Sequence, residues 1–218
     1  MPTLFLIRHG ENDYLKKDIL IGSKPGVHLN ERGREQAAAL CESLKSLPIA
    51  AIYASPLERA VETAAPLATA LRLEVQIRPG LTDTDVGQWA GYKVRELGKL
   101  AAWKQVQEQP SRFRFPGGES FTELQERVVS ETLAIAAAHK EKDLAAVFFH
   151  ADPIKLVLAH FLGLPLDNFQ KLSVDTGSLT VLQIGQAGVR LAALNLKPPF
   201  SLSALPPGAD PQRRGRKQ

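Results

Sequence analysis

The sequence predicts an α/β chain, a three-layer α/β/α sandwich built on a mostly parallel central sheet. Three observations predict it. The apolar runs Thr3–Ile7, Ile49–Ala54 and Leu144–His150 are too short for buried helices and lack polar alternation, so they read as strands covered on both faces. Segments with helical spacing of apolar residues separate these runs. Helix-start signals follow directly on two of the strand ends.

Each element has a local reason. After the first strand, Asn30 is placed to cap a helix whose Ala37, Leu40, Cys41, Leu44 and Leu47 recur at helical spacing. Ile49–Ala54 runs into Ser55-Pro56-Leu57-Glu58, which has the form of a capping box with proline at the first helical position. Pro66 is expected to kink or shorten the helix that follows. A strand near Glu74–Ile77 comes next, then a mixed segment over 80–118. Ser120-Phe121-Thr122-Glu123 is a second capping box, opening a helix to about Lys140. After the strand Leu144–His150, a helix is expected to start at Asp152-Pro153, with Asp152 as its cap, and to end at Gly163. Apolar runs at Leu172–Val174, Leu179–Ile184 and Val189–Leu194 complete the set as closing strands.

Composition narrows the function classes. Among 218 residues, 44% are hydrophobic and 23% charged, which excludes wholesale disorder. The single cysteine, Cys41, forms neither an internal disulfide nor a cysteine-rich zinc site. No apolar run approaches membrane-span length and Met1-Pro2-Thr3-Leu4 lacks the features of a secretory signal, so the expected compartment is the cytoplasm. The net charge of +4 sits mostly in the end of the chain, where Arg213, Arg214, Arg216 and Lys217 outweigh Asp210 by three and leave +1 for the rest. A nucleic-acid binder needs a basic face within its fold, so neither nucleic acid nor membrane is an expected partner. The division expected is one domain over 1–200 and a flexible, basic, proline-containing tail over 201–218.

Ligands of parallel sheets gather at the carboxyl ends of strands. Three such ends carry cations or imidazoles: Arg8-His9-Gly10-Glu11, then Arg59 in the first turn after Ser55, then His150-Ala151. A cation near a helix N-terminus opposes the macrodipole, and a bound anion relieves the conflict. Each position alone also reads as an ordinary ion pair or core histidine. Together they point to an oxyanion pocket.

The ordered set Leu6-Ile7-Arg8-His9-Gly10-Glu11, Ser55-Pro56-Leu57-Glu58-Arg59-Ala60 and His150 resembles the histidine phosphatase superfamily, the phosphoglycerate-mutase-like fold. The resemblance spans residues 3–195 and takes in Leu29–Ala37, Thr63-Ala64 and Pro116-Gly117-Gly118-Glu119-Ser120. It looks most like a bacterial branch labelled probable phosphomutase. It implies that His9 accepts a phosphoryl group, that Arg8, Arg59 and His150 clamp its oxygens, and that a carboxyl group serves as acid and base. The position matching the family's glutamate is Asp83, with Asp85 as rival because both would face one side of an extended segment. Asn12, Gly22 and the Ala151 N–H are the expected substrate contacts, with no metal and no cofactor.

The chain departs from the family pattern where Asp83 replaces glutamate, Leu15 an asparagine, and Ala151 a glycine. It departs again where Val86 stands for the tyrosine and Asp152 for the asparagine of phosphoglycerate mutases. His28, His139, His160, Trp89 and Trp103 read as structural residues, and Lys93, Arg95, Lys99, Arg112 and Arg114 as a reserve of cations for a second anion. The expected activity is a metal-independent phosphomonoesterase acting on a small phosphorylated metabolite, with a homodimer compatible. The alternatives are a phosphomutase and a catalytically weak phosphate-binding or interaction module.

Overall fold

The computed structural model describes residues 2–185 and 188–200, and the basic tail over 201–218 lies outside the described residues. The middle layer is a sheet of β1 (Thr3–Arg8), β2 (Ile49–Ala54), β3 (Val75–Ile77), β4 (Leu144–Phe149), β5 (Leu179–Gly185) and β6 (Gly188–Leu196), ordered β3-β2-β4-β1-β5-β6. β3, β2, β4 and β1 are parallel neighbours, whereas β5 runs antiparallel to β1 and β6 antiparallel to β5. The helices are α1 (Asp13–Lys16), α2 (Glu31–Leu44), α3 (Glu58–Leu71), α4 (Val94–Leu97), α5 (Ala101–Glu108), α6 (Phe121–Ala137) and α7 (Ala151–Phe161).

Side chains alternate across the sheet, and the core divides accordingly. Phe5, Ile7, Ile52 and Phe148 join Leu40 and Leu44 of α2 and Leu67 of α3. Leu4, Leu6, Val147 and Phe149 join Leu124 and Val128 of α6 and Leu156 of α7. The continuous apolar runs are therefore strands packed between two helical layers.

Two helix starts follow the sequence closely. The Asn30 side chain accepts from Gly33 N at 2.9 Å, and Ser120 with Glu123 forms the reciprocal capping box. Four local readings are corrected. Ser55 does not cap α3, which starts at Glu58 with no side-chain cap. Pro66 lies inside α3 without ending it; Ala60, Ala64, Leu67 and Ala68 are buried along that helix, and their packing outweighs one lost hydrogen bond. Leu172–Val174 is no strand, because it follows a 3-10 segment (Leu166–Lys171) outside the sheet. Asp152 is not a cap either, since His150 occupies the N-cap position of α7 and Asp152 falls in its first turn. α6 ends at Ala137, just short of the expected Lys140.

The strand order is what assembles the site. β1 lies beside β4 with Arg8 opposite Phe149, and β4 lies beside β2 with Ala54 opposite Phe148. Residues 9, 55 and 150, remote in sequence, therefore leave the sheet side by side. His9 N donates to Phe149 O at 3.0 Å and Ser55 N to Phe148 O at 2.9 Å, carrying the parallel pairing one residue beyond the strands.

Candidate active site

At the end of β1 the chain turns sharply against the first turn of α2. A Cβ on Gly10 would stand 2.5 Å from the Gly33 carbonyl oxygen, so only glycine permits this approach. Gly10 N donates to Thr63 Oγ1 at 2.9 Å, which ties the turn to α3. The turn also sets the tautomer of His9. Its Nδ1 lies 2.7 Å from the Gly10 carbonyl oxygen, which only accepts, so Nδ1 carries the proton and Nε2 keeps its lone pair. Arg8 Nη1 donates to Val174 O at 2.7 Å, and its buried Nε has no protein partner.

Arg59, only 2% exposed, projects from the first turn of α3. Its Nη2 donates to Gly22 O at 2.7 Å and to Asp83 Oδ2 at 3.0 Å, and its Nη1 to Lys24 O at 3.3 Å. His150, fully buried, stacks obliquely against His9 with ring centroids 5.1 Å apart. Its Nε2 lies 2.8 Å from Ser55 Oγ. Its Nδ1 has no hydrogen-bond partner, although Asp83 Oδ2 is 3.5 Å away. Sequence reasoning named the Ser55 motif but read it as a helix cap; the serine instead contacts the second histidine.

The two aspartates have different surroundings. Asp83 lines the cavity described below, and its Oδ1 accepts from Thr84 N at 2.9 Å. Asp85 is exposed and its Oδ1 accepts from Gly87 N at 3.0 Å, as a turn residue does. Asp83 borders the cavity and Asp85 does not, so the expectation that both carboxylates face one side is not met.

The site opens on a cavity of about 290 Å³, whose lining includes neither Asp85 nor the fully buried His150, which lies behind His9. Arg8, His9, Asn12, Gly22, Arg59, Asp83 and Ala151 all border it. Asn12 Oδ1 caps α1 by accepting from Leu15 N at 2.9 Å, so its amide nitrogen is the donor left for a ligand. Gly22 contributes the carbonyl that holds Arg59. Ala151 opens α7, whose first N–H groups lack intrahelical partners. The remaining wall is mixed: Leu15, Leu20, Val86, Phe115 and Phe121 give it apolar surface, and Asp18, Gln107, Asp152 and Gln170 are polar.

The expected reserve of cations over 93–114 is corrected. None of Lys93, Arg95, Lys99, Arg112 and Arg114 lines the cavity, and Arg114 instead pairs with Glu123. Lys155 of α7 does line it, with Nζ 3.3 Å from Asp152 Oδ1 and 3.2 Å from Gln170 Oε1. Sequence reasoning missed Lys155 although it follows Asp152 by three residues, one helical turn. Trp89 packs against Phe113 and Phe115 as expected, whereas Trp103 also borders the cavity. His28, His139 and His160 lie outside the cavity lining. Among the described residues no three His, Cys, Asp or Glu side chains gather as they would around a metal ion, and no helix is long and apolar enough to cross a membrane.

Burial holds both imidazoles neutral. His9 sits well below the usual histidine value because it is desolvated and faces His150, Arg59 and Arg8. His150 is pushed down by burial and then by Arg59, Arg8 and Arg127. A neutral His9 keeps its lone pair for reaction, while the guanidinium groups beside it supply fixed positive charge for an anion. The same shifts bear on stability. The unfolded chain binds protons as pH falls through the ordinary histidine value of 6.5, and the folded chain does not. Stability is therefore full above that value and falls below it, by up to about 1.4 kcal/mol per pH unit for each histidine. Urea midpoints between pH 7 and pH 5 test this, and in His9→Gln the slope is expected to drop by about half. A wild-type midpoint that does not fall over this range would refute the neutral imidazoles.

The chain is similar along most of its length to known phosphatases and mutases. It is 28% identical over 201 residues to Phosphoserine phosphatase 1 of Hydrogenobacter thermophilus, covering 90% of this chain and 93% of that one. It is 29% identical over 190 residues to a 2,3-bisphosphoglycerate-dependent phosphoglycerate mutase of Thermoplasma acidophilum, covering 84% and 88%. Its fold superposes on mycobacterial glucosyl-3-phosphoglycerate phosphatase complexed with VO3 at a TM-score of 0.81 and 26% identity, covering 89% and 99%. Residues 4–197, which carry every strand but the first residue of β1, match the histidine phosphatase superfamily (branch 1), and the chain belongs to that superfamily of enzymes.

Proposed function

We propose that the chain is a metal-independent phosphomonoesterase that works through a phosphohistidine on His9. One observation carries the reading. His9 is buried at the cavity with Nδ1 committed to the Gly10 carbonyl, so its free lone pair is on Nε2 beside Arg8, Arg59 and His150. In the first step Nε2 attacks phosphorus, the bond from phosphorus to the ester oxygen breaks, and protonated Asp83 gives its proton to the departing alcohol. In the second step the Asp83 carboxylate takes a proton from water, the water oxygen bonds to phosphorus, and the phosphorus–nitrogen bond breaks to release phosphate. Arg8 and Arg59 balance the charge on the equatorial oxygens throughout, with neutral His150 and the first N–H groups of α7 as further hydrogen-bond donors. Asp83, not Asp85, serves as the acid in this reading, supported by its place in the cavity wall.

The cavity volume suits a small metabolite, and the similar proteins are named for phosphoserine, phosphoglycerate and glucosyl-3-phosphoglycerate chemistry. In this reading the catalytic domain spans 1–200 with 201–218 as an appendage. The enzyme is cytoplasmic, as a monomer or a homodimer, and needs neither nucleic acid nor a membrane.

Hydrolysis is favoured over transfer within the substrate by two residues of the wall. Val86 is buried there and offers no hydroxyl, and Asp152 brings a carboxylate whose charge is shared with Lys155. With 3-phosphoglycerate and a little 2,3-bisphosphoglycerate, release of inorganic phosphate is expected to exceed formation of 2-phosphoglycerate, with or without a chelator. Fast interconversion with negligible free phosphate would make the enzyme a mutase. Activity lost to the chelator and restored by a divalent ion would refute metal independence.

A further inference from the structure

The segment that carries Asp83 has little regular structure of its own. Between the 3-10 turns Pro79–Leu81 and Gly87–Trp89 it runs without a helix or a strand pairing. What fixes it comes from outside. Arg127 of α6 donates through Nη1 to the carbonyls of Gly80 and Thr82, at 3.0 and 2.9 Å. Its Nη2 donates to Glu119 Oε1 at 2.8 Å, and the same oxygen accepts from Asp85 N at 2.8 Å. Glu119 N returns a bond to Asp85 O at 3.0 Å, and Gln88 N bonds Pro116 O at 2.9 Å.

The two backbones are also pressed together. A Cβ on Gly118 would stand 2.2 Å from Asp85 O, and one on Gly87 2.2 Å from Pro116 O. Residue 83 is thus bracketed by anchors at 80, 82 and 85 that converge on one Arg–Glu pair. Neither Arg127 nor Glu119 borders the cavity, and the bonds they make here are to each other and to the backbone at 80, 82 and 85. Only a guanidinium reaches two carbonyls and a carboxylate at once from a single rigid fork. An aspartate has less reach than a glutamate, so the placement of its backbone decides whether its oxygen meets the leaving group.

We infer that Arg127, oriented by Glu119, is a positioning residue for the general acid, holding the 80–85 backbone where Asp83 reaches the leaving oxygen. This rests on the role of Asp83 proposed above. The test compares kcat/KM for an alkyl phosphate and for p-nitrophenyl phosphate in Arg127→Met, Asp83→Asn and the double variant. An alkyl alkoxide needs its proton, and p-nitrophenolate needs little help.

Arg127→Met is expected to lose on the order of 100-fold on the alkyl ester and less than about threefold on the aryl ester. The double variant should be no slower than Asp83→Asn alone, because Arg127 acts through Asp83. Arg127→Lys, with a single point of donation, should show the same pattern at smaller size and serves if Arg127→Met does not fold. Equal losses on both esters, no loss in a folded variant, or losses that add to those of Asp83→Asn would overturn the inference and leave Arg127 a structural residue. Asp83→Asn without leaving-group dependence would instead bring down the acid assignment on which the inference stands.

Discussion

His9→Ala is expected to reduce turnover by more than about 10⁴-fold and to abolish phosphoenzyme formation. The reason is geometric. His150 is the other imidazole of the cluster, but its Nε2 is already engaged by Ser55 Oγ at 2.8 Å, and its ring is tilted 59° from that of His9. No second nitrogen can take over in-line attack from the same position. Incubation with a labelled ester followed by an alkaline quench, which preserves phosphohistidine, reads the result directly. Label is expected on the wild-type chain and absent from the variant. The variant should stay folded, because removing a desolvated imidazole also removes a group that weakens the fold at acidic pH. Ordinary turnover in a folded His9→Ala protein would end the covalent mechanism.

The second large effect is expected at Arg59. Arg59→Met should lower kcat/KM by roughly 10³-fold and weaken inhibition by vanadate by roughly 100-fold. This guanidinium joins three parts of the site, because it holds the carbonyls of Gly22 and Lys24 and lies 3.0 Å from Asp83. Methionine keeps much of the volume while the charge and all three bonds are lost. Stability is expected to change much less than activity. Burying a cation is costly, and Arg59 stands near Arg8, whose charge it disfavours, so lost hydrogen bonds are offset by relieved desolvation and repulsion. Arg59→Lys separates charge from shape. It restores the charge without the fork, and recovery of less than tenfold is expected if the planar geometry matters. Full recovery with lysine would show that the site needs only a point charge.

Both effects depend on residues that were legible as motifs and on neighbours that were not. The strands at Thr3–Ile7, Ile49–Ala54 and Leu144–His150 were readable because burial on both faces leaves no polar alternation. The starts of α2 and α6 were readable because Asn30 and Ser120 satisfy N–H groups within three residues of themselves. The same local logic failed at Ser55, which has the sequence of a cap but turns to His150, a partner 95 residues away. At Pro66 the helix is not cut short, because the buried face of α3 outweighs local propensity there.

The sequence by itself determined the alternation of strands and helices, and the identity of the charged and imidazole groups at three strand ends. Those depend on spacing, residue type and capping, all of which act within a few residues. Only the tertiary structure decided that β4 lies between β1 and β2, which sets His9, Ser55 and His150 side by side. It also decided that Asp83 faces the cavity while Asp85 serves a turn, that Lys155 joins Arg8 and Arg59 there, and that Arg127 holds the backbone on the N-terminal side of Asp83. Each of these depends on contacts between residues many positions apart. Side-chain reach is only a few ångströms, so such contacts exist only after the sheet has fixed which ends of the chain are neighbours.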